Sequence, residues 1–314
     1  MRALVTGAGG FIGAHVTATL ERDGASVRGF DLGAPPDGLA VSEWMTGDVL
    51  DRAALERAVV GCDAVFHLAA VYSYYRRDAE AMLRVNLEGT RNVLAAAGRR
   101  RVVATSSAGT CGPVPGRPAD ERDSPPAWEL QVAYKRSKVE SERLALDAGA
   151  VVVNPTAPVG PGDRRPTPTG KMIRDVAGGR APGYVRTTGL NVVSVEDVAR
   201  GHLLAYEHGR AGERYLLGGD DLSLRDLFGI VAEAAGRRPP RIAIPFRPLL
   251  AAAWTADRLL RPFRREPKLL VLDEVRLARI PAHFTSDKAV RELGYVWRPA
   301  RQALEEAVAA FTLS

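Results

Sequence analysis

The sequence predicts an α/β fold, a doubly wound parallel sheet followed by a smaller C-terminal lobe. Three observations predict it. A short apolar run, Ala3-Leu4-Val5, leads into the glycine-rich stretch Thr6-Gly7-Ala8-Gly9-Gly10-Phe11-Ile12-Gly13. Short apolar strands then alternate with longer segments whose apolar residues recur at helical spacing, the pattern of parallel strands with helices on both faces. Beyond Pro155 that rhythm gives way to a stretch rich in Pro, Gly and Arg. At 314 residues the chain can hold one large domain with an added lobe. The expected division is residues 1–155, with 189–208 returning to them, against 156–188 and 209–314 as the substrate-binding lobe.

The first strand ends in the glycine turn, and a helix with Ile12, Val16 and Leu20 on one side follows. Such a unit aims backbone N–H groups and the positive end of a helix dipole at one point, which suits a pyrophosphate. Gly7 permits the tight turn, Gly10 lets phosphates approach the backbone, and Gly13 lets the helix lie close on the strand. Phe11 and Ile12, at the start of that helix, are counted with the cofactor contacts. Residues 26–30 form a second strand ending at Asp31, a carboxylate placed to accept hydrogen bonds from adenosine ribose hydroxyls. It would repel a 2′-phosphate, and residues 32–51 contain no Lys or Arg to offset it. NAD is therefore expected over NADP.

Residues 35–38 read as a loop and 43–46 as a third strand. Asp48, with Val49 beside it, is placed at the adenine edge or caps the helix that starts near Asp51. Residues 63–70 form a fourth strand, apolar enough to be covered on both faces. Leu68, Ala69 and Ala70 at its end leave room for a cofactor, while His67 and Cys62 read as structural. Residues 78–97 are a long helix with Met82, Val85, Val93 and Leu94 on one side, and Asn86 and Gly89 under the active-site floor.

Residues 101–105 make a fifth strand, followed by Ser106-Ser107-Ala108-Gly109-Thr110 at its C-terminal end. After a Pro-rich loop, 113–128, a helix opens on Tyr134-Lys135-Arg136-Ser137-Lys138. Strand six, 150–154, is closed by Pro155, and 155–171 reads as a substrate-side loop. Residues 190–195 read as a strand returning to the core, 196–208 as its helix, and 214–217 as another short strand. Residues 222–235 are an amphipathic helix with a Ser223 cap and a Gly236 stop. Residues 248–260 are apolar, with Arg258, Arg261, Arg264 and Arg265 within and after them. They read as a core helix of the lobe, with an apolar lip at a membrane interface as the competing reading.

The net charge is +6, and most basic residues are scattered. No basic patch is interleaved with aromatics, so nucleic acid is not expected. Anionic small molecules or peripheral contact with an anionic membrane remain open. Arg76, Arg164, Arg165, Lys171 and Arg186 are candidate anion contacts. The two cysteines, Cys62 and Cys111, lack metal-ligand or disulfide spacing, which points to a reducing cytoplasm and no metal. Neither a secretory leader nor a membrane-spanning run is expected.

Tyr134 and Lys138 are four apart, so they share one helix face. A nearby ammonium lowers a phenol's pKa, which would let Tyr134 exchange a proton near neutral pH. Ser107 can hydrogen-bond the same substrate oxygen. These motifs together, with Thr6-Gly7-x-x-Gly10-x-x-Gly13, Asp31, Asp48, His67-Leu68-Ala69-Ala70, Asn86 and Asn154-Pro155, resemble the extended short-chain dehydrogenases/reductases of the NAD-dependent epimerase/dehydratase group. The resemblance implies a Rossmann sheet, with Ser107, Tyr134 and Lys138 catalytic, Lys138 also holding the nicotinamide ribose, and Asn86, Tyr134 and Pro155 also among the cofactor-binding positions. It further implies a homodimer paired through the helices near 78–97 and 134–146.

Residues 154–161, 166–171, 189–199 and 212–219, with Asp287-Lys288-Ala289 and Glu292-Leu293-Gly294-Tyr295, are most similar to the hopanoid-associated sugar epimerases, themselves similar to dihydroflavonol 4-reductases. The run at 106–110 is reductase-like. Sugar 4,6-dehydratases place an Asp-Glu pair where Ala108-Gly109 stand, so dehydration is set aside. UDP-sugar epimerases commonly carry an arginine near Leu190, where this chain has Leu190-Asn191. The expected activity is epimerisation of a sugar-like alcohol through a keto intermediate. Net reduction of a ketone is the alternative, and a non-catalytic dinucleotide-binding protein a distant third.

Overall fold

The computed structural model describes residues 1–263, 267 and 270–312. In chain order the strands begin β1 (Arg2–Thr6), β2 (Ser26–Asp31), β3 (Glu43–Thr46), β4 (Ala64–His67), β5 (Arg101–Thr105) and β6 (Val151–Pro155). They continue β7 (Ala157–Val159), β8 (Tyr184–Val185), β9 (Gly189–Ser194), β10 (Arg214–Leu217), β11 (Asp220–Ser223) and β12 (Ala243–Ile244). The helices begin α1 (Phe11–Arg22), α2 (Arg52–Ala58), α3 (Ala79–Ala97), α4 (Ala133–Asp147), α5 (Pro168–Ala177) and α6 (Val195–His208). They end α7 (Leu224–Ala234), α8 (Phe246–Leu260), α9 (Leu272–Leu277), α10 (Asp287–Leu293) and α11 (Ala300–Thr312).

A seven-stranded sheet runs β10-β6-β5-β4-β1-β2-β3, and each neighbouring pair is parallel. Successive side chains point to opposite faces. Val5 and Phe66 therefore join Val16, Leu20 and Leu217 in the core shared with α1 and α6. Leu4 and Val65 join Leu55, Val93 and Val152 in the core shared with α2, α3 and α4. Each such fully buried side chain contributes about 1.5–3 kcal/mol. Consecutive connections leave β1 and β4 in opposite directions, so their C-terminal ends frame the crevice where open α/β sheets bind ligands. The doubly wound parallel sheet is as the sequence predicts.

The lobe is built on a three-stranded sheet, β11-β9-β7, and a two-stranded one, β12-β8. Ile173, Leu227, Phe228, Val231 and Leu304 form its core. Three readings need correction. The strand at 190–195 does not join the large sheet, since β9 pairs with β7 and β11; only its helix α6 returns to pack on α1. Arg214–Leu217, read into the lobe, is the edge of the large sheet, paired with β6. Both runs are short and apolar, and periodicity cannot say which sheet such a run will join. Residues 155–171 are not all loop either. They contain β7 and open α5, where Thr167 Oγ1 accepts from Gly170 N at 3.0 Å and Pro168 occupies the first turn. Thr-Pro is a helix start, and the surrounding Pro and Gly hid it.

Smaller boundaries also shift. Strand four stops at His67, and β11 precedes α7, whose cap is Ser223, with Oγ 3.1 Å from Asp226 N. Arg264 and Arg265 lie outside the described residues.

Candidate active site

The glycine turn is closed to side chains on its inner side. Gly7 has φ +71°, and a Cβ there would lie 2.6 Å from Ala69 N; at Gly13 it would meet Gly7 O at 1.9 Å. Gly10 is exposed and N-caps α1 without any side-chain cap. The first-turn N–H groups, around Phe11 and Ile12, are thus open to an anion. Asp31 Oδ2 accepts from Gly9 N at 2.9 Å and Oδ1 from Leu32 N at 2.7 Å, which fixes the carboxylate beside the turn. Leu68 and Ala69 are half-buried and Ala70 exposed beyond β4, while Val49 and Pro155 are buried. Asp48 Oδ1 accepts from Leu50 N at 2.9 Å; the cap of α2 is Asp51, 3.0 Å from Ala54 N. Ser106 Oγ is buried without a hydrogen-bond partner among the described residues. A glycine cradle, an uncapped helix start and a fixed ribose-side carboxylate fit a nicotinamide dinucleotide.

The three expected catalytic residues come together at the ends of β5 and α4. Tyr134 lies in the first turn of α4 and Lys138 one turn later. Ser107 follows β5, and its hydroxyl hydrogen-bonds the Tyr134 phenol. Ser107 Oγ also accepts from Gly109 N at 3.1 Å. Lys138 Nζ donates to the Thr105 carbonyl at 3.3 Å. Burial pulls the Lys138 ammonium down to about 8, with Glu142 opposing.

The phenol departs from expectation. Burial raises the Tyr134 pKa, and the Ser107 hydrogen bond only partly offsets it. The Lys138 ammonium is directed to the Thr105 carbonyl. Tyr134 is a held proton at neutral pH.

A set of buried polar residues holds this arrangement. Asn86 Oδ1 accepts from Val71 N at 2.8 Å, and Nδ2 donates to Val71 O and to Ser137 Oγ, both at 3.0 Å. His67 lies between Thr6 Oγ1 at 2.8 Å and Thr90 Oγ1 at 3.0 Å. Thr90 Oγ1 donates to Asn86 O, so His67 donates from Nε2 and accepts at Nδ1. Burial takes its pKa down to about 3, so His67 is a neutral structural link between β1 and α3.

Two buried acids were not picked out from sequence. Glu142 meets Thr110 Oγ1, Asn154 Nδ2 and Arg214 Nη1, each at 2.6 Å. Glu129 pairs with Lys135 at 2.7 Å, and Lys135 donates to the carbonyls of Gly109 and Gly112 at 2.8 Å. Both lysines and Glu142 lie in the run opened by Tyr134, so a signal existed: charged residues on the apolar side of a helix.

Tyr72 and Tyr74 wall the site, their ring centroids 4.4 and 5.6 Å from that of Tyr134. The sequence reading left both unassigned, because residues 71–75 follow no period. A cavity of about 250 Å³ next to the start of α4 is lined by Trp128, Gln131, Val132, Phe246, Leu250, Arg276 and Arg279. The candidate anion contacts are mostly engaged. Arg76 pairs with Asp257 at 2.5 Å and Lys171 with Asp175 at 3.0 Å. Arg164 Nη2 donates to Asp37 O at 3.0 Å, in the loop next to the glycine turn. Arg165 and Arg186 are exposed. Among the described residues no group of His, Cys, Asp and Glu could hold a metal ion, and no helix is long and apolar enough to cross a membrane.

A parallel sheet with a glycine-rich first turn, a ribose-side acid and a Ser, Tyr and Lys at the C-terminal strand ends defines an extended short-chain dehydrogenase/reductase, a nicotinamide-dependent enzyme. The chain belongs to the NAD dependent epimerase/dehydratase family, whose model matches residues 3–218. It is 38% identical over 320 residues to a provisionally named dihydroflavonol 4-reductase of Synechocystis, covering 97% of this chain and 92% of that one. It is 36% identical over 326 residues to sterol demethylase protein B of Methylococcus capsulatus, covering 99% and 98%. The crystal structure of gox2253 superposes with a TM-score of 0.86 at 40% identity, covering 99% and 98%.

Proposed function

We propose that the protein interconverts a secondary alcohol and a ketone on a bulky, largely apolar substrate, with NAD preferred over NADP. The observation that carries this is the Tyr134 phenol, hydrogen-bonded to Ser107, one turn from Lys138 and walled by the rings of Tyr72 and Tyr74. Reduced NAD, when bound, supplies a hydride for the carbonyl carbon. Ser107 and Tyr134 orient the carbonyl oxygen, and Tyr134 gives it the phenol proton as negative charge develops there. Burial keeps that proton on Tyr134 at neutral pH, as the reductive direction requires. Lys138, one turn along α4 and donating to the Thr105 carbonyl at 3.3 Å, would hold the nicotinamide ribose. Gly10, Phe11 and Ile12 take the pyrophosphate, and Asp31 the adenosine ribose.

Sugar epimerisation would use the same residues with the hydride returned to the other face. It takes second place for two reasons. The walls nearest Tyr134 are aromatic. Asn191, where an arginine could meet a nucleotide diphosphate, is buried and spends its amide on Gly219 O and Asp221 at 3.0 and 2.7 Å. The relatives above carry reductase and demethylase names, which supports net redox. The enzyme is proposed to be cytoplasmic and to dimerise through α3 and α4.

The test is to denature freshly purified protein, identify the nucleotide released, and assay hydrophobic ketones with NADH. An empty protein that oxidises NADH with such ketones supports the reading. Near-stoichiometric retained NAD with no net NADH consumption would replace it with epimerisation.

A further inference from the structure

We propose that the outer face of α8 docks on an anionic lipid bilayer. A surface helix of a globular domain normally turns charged and polar residues outward. In α8 the buried residues are Ala253 and Asp257, with Phe246, Leu249 and Leu250 packed against Leu272 and Val275. Trp254 is 51% exposed and Leu259 67%, and Phe263, just past the helix, is 73% exposed. Residues 246–263 contain Arg247, Arg258 and Arg261 but a single acid, Asp257. That acid is turned inward onto Arg76 at 2.5 Å. The outward arc thus presents Arg247, Trp254, Arg258 and Leu259 among Pro248, Ala251, Ala252 and Thr255, with no carboxylate. Arg258 lies over the Trp254 ring, 5.4 Å from its centroid, so cation and indole act at the same depth.

This is the composition of a helix that lies in a membrane interface, apolar side chains among the acyl chains and arginines on phosphates. Charge argues against a second copy as the occupant, because a two-fold contact would set the arginines of one α8 against those of the other. The inner face gives the docking a use. Phe246 and Leu250 line a cavity with Val132, the residue that N-caps the Tyr134 helix, and with Arg276 and Arg279. The docking claim stands without the proposed reaction; delivery of a membrane-borne amphiphile to that cavity rests on it.

The full chain is tested by co-sedimentation with vesicles of phosphatidylcholine, with or without phosphatidylglycerol. Wild type is expected to pellet with the anionic vesicles, to be released by high salt, and to show a blue-shifted emission that Trp254→Phe removes. Arg258→Glu changes two units of charge and lowers partitioning by about thirtyfold, at roughly fivefold per charge. Leu259→Ser with Phe263→Ser lowers it as well, while thermal unfolding and NAD binding stay at wild-type values. Wild type left in the supernatant overturns the proposal, as does equal pelleting with both vesicles or variants that pellet like wild type. Self-association that Leu259→Ser abolishes, without vesicle binding, would assign the face to a second copy instead and equally overturn it.

Discussion

Asn86 Nδ2 donates to Ser137 Oγ at 3.0 Å, and Ser137 Oγ donates in turn to the Tyr134 carbonyl at 2.8 Å. The amide of α3 thereby holds the backbone of the turn of α4 that carries Tyr134. In the proposed reaction Asn86 would act as a positioning residue. Asn86→Leu should lower kcat by about tenfold or more through misplacement of the phenol. NAD affinity should stay near wild type. Separate measurement of kcat, KM and NADH binding checks this, and an equal loss in all three would reduce Asn86 to a general structural role.

Tyr134→Phe keeps the ring and its packing on Tyr72 and removes the proton. Turnover should fall by about 10²–10⁴, with NADH binding by fluorescence titration unchanged. Turnover near wild type would remove Tyr134 from the mechanism.

Lys138 titrates at about 8 in the folded chain, against an ordinary value of 10.5. The unfolded chain holds that proton more tightly, so the buried ammonium lowers stability below about pH 8. The penalty fades as pH rises from about 8 to the unfolded value. Lys138→Met should therefore raise Tm at pH 7 while abolishing activity. Wild-type activity should decline as pH passes through about 8. Paired calorimetry and rate profiles test both halves.

Burial lowers His67 to about 3 and His202 to about 4. His202 is held by the Val198 carbonyl and Thr105 Oγ1, both at 2.8 Å. Above pH 6.5 both imidazoles are neutral in either state. As pH falls through 6.5 the unfolded chain takes up two protons that the folded chain refuses. Stability should drop by about 1.4 kcal/mol per pH unit per histidine until the folded values are reached. Urea unfolding between pH 7 and 4 measures the slope, and His202→Gln should flatten it.

Asp31 is fixed by the Gly9 and Leu32 amides, so its charge cannot swing away from a 2′-phosphate. Asp31→Ser should raise the ratio of kcat/KM for NADPH over NADH by about tenfold or more. An unchanged ratio would place the cofactor choice elsewhere, with Arg164 at the Asp37 carbonyl the first residue to examine.

Much of this molecule was legible in the chain because its signals are local. The inner strands β1, β4, β5 and β6 carry continuous apolar runs, since both faces of a parallel sheet are covered there. Gly7 and Gly13 announce a turn no side chain can enter. The four-residue spacing of Tyr134 and Lys138 places them on one helix face whatever the surroundings. The family, the sheet and the grouping of Ser107 with Tyr134 follow from such features.

Tertiary structure decided what depends on partners distant in sequence. It set β10 in the large sheet and β9 in the small one, because sheet membership is a pairing energy that neither strand encodes alone. It raised the Tyr134 pKa, because burial outweighs the hydrogen bond from Ser107. It brought Tyr72 and Tyr74 to the phenol and turned Asp257 inward onto Arg76, leaving α8 with a basic and aromatic outer face. Sequence spacing fixes what lies on one element, whereas dielectric environment and contact between elements exist only once the chain has packed.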